Sequence, residues 1–272
     1  MATFKFKNYD IYYEISGEGK PIIFLNGIMM SCASWNTFEK TMSKDNKFIR
    51  IDFLDQGKSS RMDKTYTQDD QVEVLKGLFD HLKLDKAVVM GISYGGEVLL
   101  KFAIKYPNLV ERIILSNTAA WTSPWLRDIG HSWNKVGATL DGEAYYDLAI
   151  PVIYSPTFYH KHNAWMENRR KILVPLFSQK EFQDRMKRLV DSAESHDCRS
   201  EVNKISCETL IISSQYDFLT PLVEQEFLLN NIENSHHVVI PDCGHASMYE
   251  KPLLFMSLVL GFANALDDKY VI

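Results

Sequence analysis

Six short apolar runs recur along the chain with helix-like segments between them, and this alternation restricts the fold more than any other feature. The runs are rich in Ile, Val and Phe and lie at 21–25, 47–51, 87–90, 112–116, 209–213 and 237–241. Continuous runs of this kind are typical of parallel strands that are buried on both faces. Between them, an apolar stripe fits segments 34–43, 68–82, 94–105, 222–230 and 252–266. The pattern predicts an α/β protein with helices on both faces of a mostly parallel, doubly wound sheet.

Residues 4–16 precede these runs and have a different pattern. Apolar and polar side chains alternate there with a period of two, up to Gly17. This alternation predicts one or two antiparallel strands at an edge of the sheet.

The alternation of strands and helices is interrupted between Trp121 and about residue 201. This stretch has no convincing strand, and it is rich in Trp, Tyr and Phe between Trp125 and Phe182. A simple connection between strands does not need so much aromatic surface. We therefore predict a core in two parts, 1–120 and 204–272, with a helical cap inserted at 121–203.

The composition excludes several classes of partner. The 272 residues are 46% hydrophobic and 24% charged, with a formal net charge of −5 and no long block of Lys or Arg. These values favour a small-molecule substrate over nucleic acid or an anionic membrane, for a protein that acts as a monomer or homodimer. The start of the chain lacks a signal-peptide pattern, and no apolar run is long enough to span a membrane. We expect a cytoplasmic protein.

The four cysteines, at positions 32, 198, 207 and 243, are widely spaced and include no CxxC pair. Their spacing favours free thiols over a zinc site or a disulfide framework. His160 and His162 are two residues apart, but no carboxylate cluster accompanies them. With no P-loop or dinucleotide motif either, we expect no metal and no cofactor.

The stretch VVMGISYGGEVLL at 88–100 places a glycine-rich turn between a predicted strand and a predicted helix. It contains G-x-S-x-G, with Ser93 at the centre. In this context the serine is held in a strained turn at the carboxyl end of a strand, with its hydroxyl exposed. The motif therefore identifies Ser93 as a candidate nucleophile.

A serine nucleophile needs a base and a carboxylate that orients the base. Asp217 follows the strand at 209–213, and His245 follows the strand at 237–241. Asp242 and Asp52 are the other candidate acids. Asp242 is three residues from His245, which is too close in the chain for an easy approach to the ring, and Asp52 lies in a different loop. Asp217 is the preferred carboxylate.

Five segments in this order make the chain resemble the α/β-hydrolase superfamily, in its compact form with a helical cap. They are FLNGIMM at 24–30, DFLDQGKSS at 52–60, GISYGG at 91–96, the step from Asp217 to Pro221, and the segment from Gly244 to Pro252. The resemblance covers nearly the whole chain.

The resemblance implies that Ser93 is the nucleophile, His245 the general base and acid, and Asp217 the orienting carboxylate. It also implies an oxyanion hole made by the backbone N–H groups of Ile28 and Tyr94. The chain departs from the family pattern at two positions. Asn26 replaces the usual histidine of the oxyanion loop, and Ser214 replaces the usual glycine before Asp217.

We predict a cofactor-independent serine hydrolase that cleaves a small, mainly apolar carboxylic ester, lactone or thioester through an acyl-enzyme. Met29, Met30, Tyr94 and Trp121 flank the predicted site and are the expected substrate contacts. One alternative is a carbon–carbon bond hydrolase or enol-lactonase with the same three residues. Another is a non-catalytic sensor of a small molecule, because the fold alone does not fix the function.

Overall fold

Eight strands form one sheet in the computed structural model, which describes residues 2–265. Its order is β1-β2-β4-β3-β5-β6-β7-β8, and pairing is parallel from β4 through β8 and antiparallel for β1 with β2 and β2 with β4. The strands are β1 (Ala2–Phe6), β2 (Tyr9–Ser16), β3 (Lys20–Leu25), β4 (Asn46–Ile51), β5 (Ala87–Ile92), β6 (Val110–Ser116), β7 (Glu208–Ser214) and β8 (Ser235–Ile240). The predicted parallel sheet with an antiparallel edge is confirmed.

The helices connect these strands and cover both faces of the sheet. They are α1 (Glu39–Met42), α2 (Gln68–Leu82), α3 (Tyr94–Lys105), α4 (Pro124–Gly137), α5 (Gly142–Ile153), α6 (Pro156–Lys161), α7 (Asn163–Phe177), α8 (Lys180–Ala193), α9 (Leu222–Asn231), α10 (Ser247–Glu250) and α11 (Pro252–Ala263). Short 3₁₀ helices lie at Cys32–Phe38, Pro107–Leu109 and Val202–Lys204. Helices α4 to α8 all lie between β6 and β7, and we call them the inserted helices.

Two predicted helices differ from the structure in their detail. The segment 34–43 is a 3₁₀ helix followed by the single turn of α1, instead of one continuous helix. The side chain of Trp35 is fully buried there and its indole N–H donates to the Asn26 side chain, so tertiary contacts hold the tighter turn. Helix α11 ends at Ala263, and residue 266 of that prediction lies outside the described residues.

The apolar side chains of each strand alternate between two cores. Ile23 and Leu25 of β3 pack with α2 and α3 on one face, while Ile22 and Phe24 pack on the other face with Trp35 and Phe255. The second core continues into the inserted helices through residues such as Trp133. Burial of both faces explains why the parallel strands have continuous apolar sequences.

The chemistry-bearing segments lie at one edge of this sheet. Ser93 follows β5, Asp217 follows β7, His245 follows β8, and residues 27–30 follow β3. Because these strands are parallel, their carboxyl ends meet at the same edge, where open α/β sheets bind ligands. Within residues 2–265, no helix combines the length and the apolar character that crossing a bilayer requires.

Candidate active site

Ser93 occupies a strained turn between β5 and α3. Its φ of 53° and ψ of −123° are unusual for a residue with a side chain, and such conformations cost of order 1–3 kcal/mol. Hydrogen bonds hold the turn in place. The N–H of Ser93 donates to the carbonyl of Ser116 at 2.9 Å, and Thr118 Oγ1 donates to the carbonyl of Ser93 at 2.8 Å.

The glycines on either side of Ser93 let neighbouring backbone approach closely. A Cβ atom at Gly95 would lie 2.7 Å from the carbonyl oxygens of both Leu25 and Asn26, and one at Gly91 would lie 2.4 Å from the carbonyl oxygen of Gly95. Any larger residue would therefore push the turn away from β3 and from its own helix. The glycine-rich sequence brings Ser93 close to the loop that follows β3.

His245 and Asp217 form a hydrogen bond between their side chains. His245 Nδ1 lies 2.8 Å from Asp217 Oδ2, and the carboxylate is completely buried. The N–H groups of Leu219 and Thr220 each donate to Asp217 Oδ1 at 2.9 Å, which fixes the carboxylate in its loop. Asp217, the preferred acid, is thus the carboxylate that contacts His245.

The turn before Asp217 forms even though Ser214 replaces the usual glycine of the family pattern. The N–H of Asp217 donates to the carbonyl of Ser214 at 3.2 Å. Asn117, at a φ of 44°, supports both loops, since its Nδ2 donates to Ser214 Oγ at 3.1 Å and to the carbonyl of His245 at 2.7 Å. Asn117 was not among the residues predicted from the sequence. Its position directly after β6, at the same edge of the sheet, was the available signal.

Asn26 lies at the start of the loop after β3 and is fully buried. Its Oδ1 accepts the indole N–H of Trp35 at 2.7 Å, and its Nδ2 donates to the carbonyl of Ile51 at 2.8 Å. Asp52 lies beside it and accepts the N–H groups of Cys32 and Lys58. Burial raises the pKa of this carboxyl above its ordinary value. The hydrogen bonds of Asn26 with Trp35 and Ile51 hold the loop after β3 in place.

Ser93 and His245 line one cavity of about 160 Å³. Ile28, Met29, Met30 and Tyr94 line it as well. Gly27 lies close to Ser93: a Cβ atom at Gly27 would lie 3.6 Å from the Ser93 Cβ. An apolar cavity of about 150 Å³ is large enough to bind benzene, so this cavity has room for a small acyl group.

Trp121 is not among the residues that line this cavity, and its contact with a ligand stays a prediction. Its indole N–H donates to Glu224 Oε2 at 2.8 Å, and the guanidinium of Arg199 lies 3.8 Å from the centre of its ring. A β-bridge between Trp121 and Asp197 holds the backbone. Trp121 thus joins the two ends of the inserted segment to the core.

The inserted helices supply the wall opposite Ser93. It is mainly apolar and includes Leu126 of α4, Ile150 of α5, Leu173 of α7 and Val190 of α8. Charged groups in this wall are Arg127, Arg169 and Glu194, whereas Glu97 lines the cavity from α3 of the core. Most other arginines of this segment are paired with carboxylates elsewhere, as in the contacts of Arg170 with Glu143 and Asp147 and of Arg188 with Asp55.

Metal-ligating side chains do not cluster in the part of the chain that the structure describes, where no group of three or more His, Cys, Asp or Glu could hold an ion. His160 and His162 are exposed at the end of α6. The ring of His162 instead packs on Phe158, with 4.5 Å between the ring centres.

Comparison with known proteins gives matches over nearly the whole chain. The family model described as alpha/beta hydrolase fold matches residues 20–252. The structure of MGS-M2, an alpha/beta hydrolase enzyme from a Medee basin deep-sea metagenome library, is similar with a TM-score of 0.98 and 49% identity, covering 100% of both chains.

Curated relatives share less sequence. The 2-hydroxymuconate semialdehyde hydrolase of Pseudomonas sp. strain CF600 is 26% identical, covering 93% of this chain and 89% of its own. The putative 2-succinyl-6-hydroxy-2,4-cyclohexadiene-1-carboxylate synthase of Bacillus subtilis is 25% identical, covering 94% and 96%. The sheet order, the turn at Ser93 and the match of the family model over most of the chain lead to one conclusion: the chain belongs to the α/β-hydrolase family.

Proposed function

We propose that the protein is a serine hydrolase that cleaves a small, mainly apolar carboxylic ester, lactone or thioester through an acyl-enzyme. The observation that carries this proposal is the meeting of the Ser93 turn and the Asp217–His245 pair at the wall of one apolar cavity. A serine in a strained turn and an oriented histidine at the same cavity are the groups that nucleophilic acyl transfer requires.

His245 would act through the ring nitrogen that Asp217 leaves free. Since Nδ1 is engaged by the carboxylate, Nε2 would take the proton of Ser93 Oγ as that oxygen attacks the substrate carbonyl. The same proton would pass to the leaving group when the carbonyl re-forms. Water would then attack the acyl-enzyme, with His245 again as the base, and release the acid.

The oxyanion of each tetrahedral intermediate would be stabilised by the backbone N–H groups of Ile28 and Tyr94. Tyr94 is the first residue of α3, where the N–H groups have no partner within the helix. Within residues 2–265, the N–H of Ile28 donates no hydrogen bond. Losing one such donor typically costs about 2.7–4 kcal/mol of barrier.

The inserted helices would act as a cap that selects the acyl group. An enclosed apolar wall contributes roughly 0.8 kcal/mol for each buried methylene, whereas a charged tail loses hydration unless a cation compensates it. We therefore expect neutral acyl groups of short to medium length.

Arg169 favours a second candidate, a hydrolase for carboxylate-bearing substrates that includes carbon–carbon bond hydrolysis. Its guanidinium lies in the cavity wall, 4.6 Å from the ring centre of Tyr249 and 5.4 Å from that of Trp165. Among the described residues it forms no ion pair, and its buried Nε has no hydrogen-bond partner. The name of the Pseudomonas relative, a hydrolase of a 2-hydroxymuconate semialdehyde, describes a substrate that carries a carboxylate.

Measuring turnover on a panel of substrates separates the two candidate hydrolases from each other and from a non-catalytic sensor. The panel contains neutral esters, lactones and thioesters, matched esters with a terminal carboxylate, and a vinylogous 1,5-diketone acid for carbon–carbon cleavage. The primary proposal predicts repeated turnover and higher kcat/KM for the neutral esters. A single slow event, or none, on every substrate would contradict enzymatic function.

Arg169→Met and its neighbour Arg170→Met form a matched pair for the same panel. Arg170 is paired with Glu143 and Asp147 and does not line the cavity, so its replacement controls for general loss of charge. If the apolar proposal is right, neither variant changes the order of preference. A preference for the charged esters that disappears only in Arg169→Met would replace the first candidate with the second.

A further inference from the structure

Gln56 binds the peptide group that carries one of the proposed oxyanion donors. Its Nε2 donates to the carbonyl oxygen of Gly27 at 3.0 Å, and the side chain is 2% exposed. That carbonyl belongs to the same peptide group as the N–H of Ile28. In a trans peptide the C=O and N–H bonds point in opposite directions, and the described residues contain no cis peptide bond. The backbone N–H of Met30 also donates to this oxygen, at 3.1 Å. Gln56 and Met30 together fix the oxygen on one side of the peptide and thereby the N–H on the other.

The direction of the Gln56 amide is set by groups that cannot reverse their roles. The backbone N–H of Phe53 donates to Gln56 Oε1 at 3.2 Å, and Asn26 Nδ2 donates to the same oxygen at 3.3 Å. With its oxygen held by two donors, the amide must present its nitrogen to Gly27.

Asn26 is oriented in the same way. The indole N–H of Trp35 is a donor only, so it must meet Asn26 Oδ1, and the carbonyl of Ile51 is an acceptor only, so it must meet Nδ2. A directed chain of hydrogen bonds thus runs from Trp35 through Asn26 and Gln56 to the Gly27 carbonyl. Hydrogen bonds in such a chain polarise one another, by about 10–30% for each bond.

We propose that Gln56 is a positioning residue that orients and polarises the Gly27–Ile28 peptide, so that the Ile28 N–H stabilises the oxyanion. This inference rests on the proposed function, because an oxyanion forms only when Ser93 attacks a carbonyl. It also assigns a role to Asn26, which replaces the usual histidine. Asn26 presents an amide nitrogen to Gln56, and that contact fixes which end of the Gln56 amide meets Gly27.

The experiment compares Gln56→Met and Gln56→Glu with a matched control, Gln71→Met. Methionine keeps the length of Gln56 without a donor, and glutamate keeps the acceptor while its carboxylate donates nothing. Gln71 is fully buried and bonds both the N–H and the carbonyl of Leu54 in the same loop, but not Gly27. The control therefore loosens the loop without releasing the Ile28 peptide.

Three quantities are measured for each folded variant: kcat, KM, and the inhibition constants of a trifluoromethyl ketone and of the matching methyl ketone. The serine oxygen adds to the carbonyl carbon of the fluorinated ketone, and the carbonyl oxygen becomes an oxyanion, whereas the methyl ketone binds mainly without this addition. We expect both Gln56 variants to lower kcat roughly 10- to 100-fold with little change in KM, which is less than the loss of a donor outright. Binding of the trifluoromethyl ketone should weaken by the same factor, and binding of the methyl ketone should not change.

Gln71→Met should lower the melting temperature but leave kcat and the trifluoromethyl ketone constant within about two-fold, since the N–H of Ile28 stays in place. The proposal would be overturned by wild-type kcat in the Gln56 variants, by equal weakening of both ketones, or by an equal effect in Gln71→Met. A wild-type protein that neither hydrolyses an ester nor prefers the fluorinated ketone would instead contradict the proposed function itself.

Discussion

The cavity has two walls that are built in different ways. The core wall comes from the loops after β3, β5 and β8, where buried hydrogen bonds hold Ser93, His245 and residues 27–30 in place. The opposite wall comes from the inserted helices and consists mainly of apolar side chains. The core wall depends on backbone direction and the helical wall on side-chain shape. We infer that the first determines the chemistry and the second determines the substrate.

The inserted helices are attached to the core wall through different contacts. Helix α8 is bound to the core through Arg188, which contacts the buried carboxylate of Asp55, and through Ser192, whose Oγ lies 2.8 Å from the Tyr94 hydroxyl. The turn between α5 and α6 is bound by Ser155, whose N–H and hydroxyl both donate to Glu250. Helix α7 carries Arg169 and Leu173 into the cavity, and it contacts the core through the packing of Arg169 and Trp165 on Tyr249.

The largest expected effect comes from breaking the core wall at Asp217. Asp217→Asn keeps the size of the side chain but removes the charge that orients His245 Nδ1, and a change of this kind lowers kcat about 10⁴-fold. The losses in Asp217→Asn and His245→Ala should not add, since the residues act as one unit. Steady-state kinetics checks this, with circular dichroism to confirm folding. Unchanged kinetics in Asp217→Asn would reopen the choice of Asp242.

A methyl group at Gly95 should break the core wall through the backbone. Gly95→Ala places a Cβ atom 2.7 Å from two carbonyl oxygens, and overpacking of this kind costs about 1–3 kcal/mol. Gly261→Ala is the control, because a Cβ atom there meets nothing within 4 Å; it should be neutral or stabilising by up to about 1 kcal/mol. Urea unfolding measures both, and equal stability of the two variants would contradict the packing argument.

Much of the core wall could be predicted from the sequence, because its signals are local. The turn at Ser93 follows from glycines between an apolar run and a helix, and Asp217 and His245 each follow a strand that the sequence predicts. The bracing by Asn26 and Gln56 could not be predicted in this way. Their partners are as far apart in the chain as Gly27 and Gln56, and the contact depends on which way each amide points.

The direction of side chains in the inserted segment is less predictable from the sequence, and Trp121 illustrates the reason. Its position just after β6 indicated the mouth of the cavity, but the direction of its side chain depends on tertiary contacts. Arg199 and Glu224 contact the ring, and Trp121 is not among the residues that line the cavity. Arg169 and Arg170 are neighbours in the sequence, yet only the first lines the cavity. Hydrophobic periodicity does not show which of two neighbouring arginines lines the cavity.

Removing the anchor of α8 should loosen the connection between the two walls. Arg188→Met leaves the buried Asp55 carboxylate without its cation, which we expect to cost about 1–3 kcal/mol of unfolding free energy. Lys187→Met on the same helix is the control, because Lys187 is exposed and its partner Asp191 is partly exposed, and exposed pairs contribute about 0–1 kcal/mol. We expect KM to rise more than kcat falls in Arg188→Met. Equal stability of the two variants would argue against this anchor.

The smallest expected effect is a pH dependence at the junction of the walls. His196 is buried behind α3, its Nε2 contacts the carbonyl of Ala119, and burial lowers its pKa, an effect that Lys101 reinforces and that Glu97 and Asp197 oppose. Below about pH 6.5, His196 therefore takes up a proton more readily in the unfolded chain than in the folded protein. Stability should fall as the pH drops below that value. His196→Asn should have a weaker pH dependence than wild type in urea unfolding, whereas the exposed His160→Asn should match wild type.

The most direct test of the account is the mass of the protein after brief reaction with an activated ester and acid quenching. A rigid core wall that performs acyl transfer predicts one acyl group on the peptide that contains Ser93, accumulation of this adduct before steady state, and no adduct in Ser93→Ala. An acyl group on another residue, or wild-type turnover in Ser93→Ala, would contradict the assignment of the chemistry to the core wall.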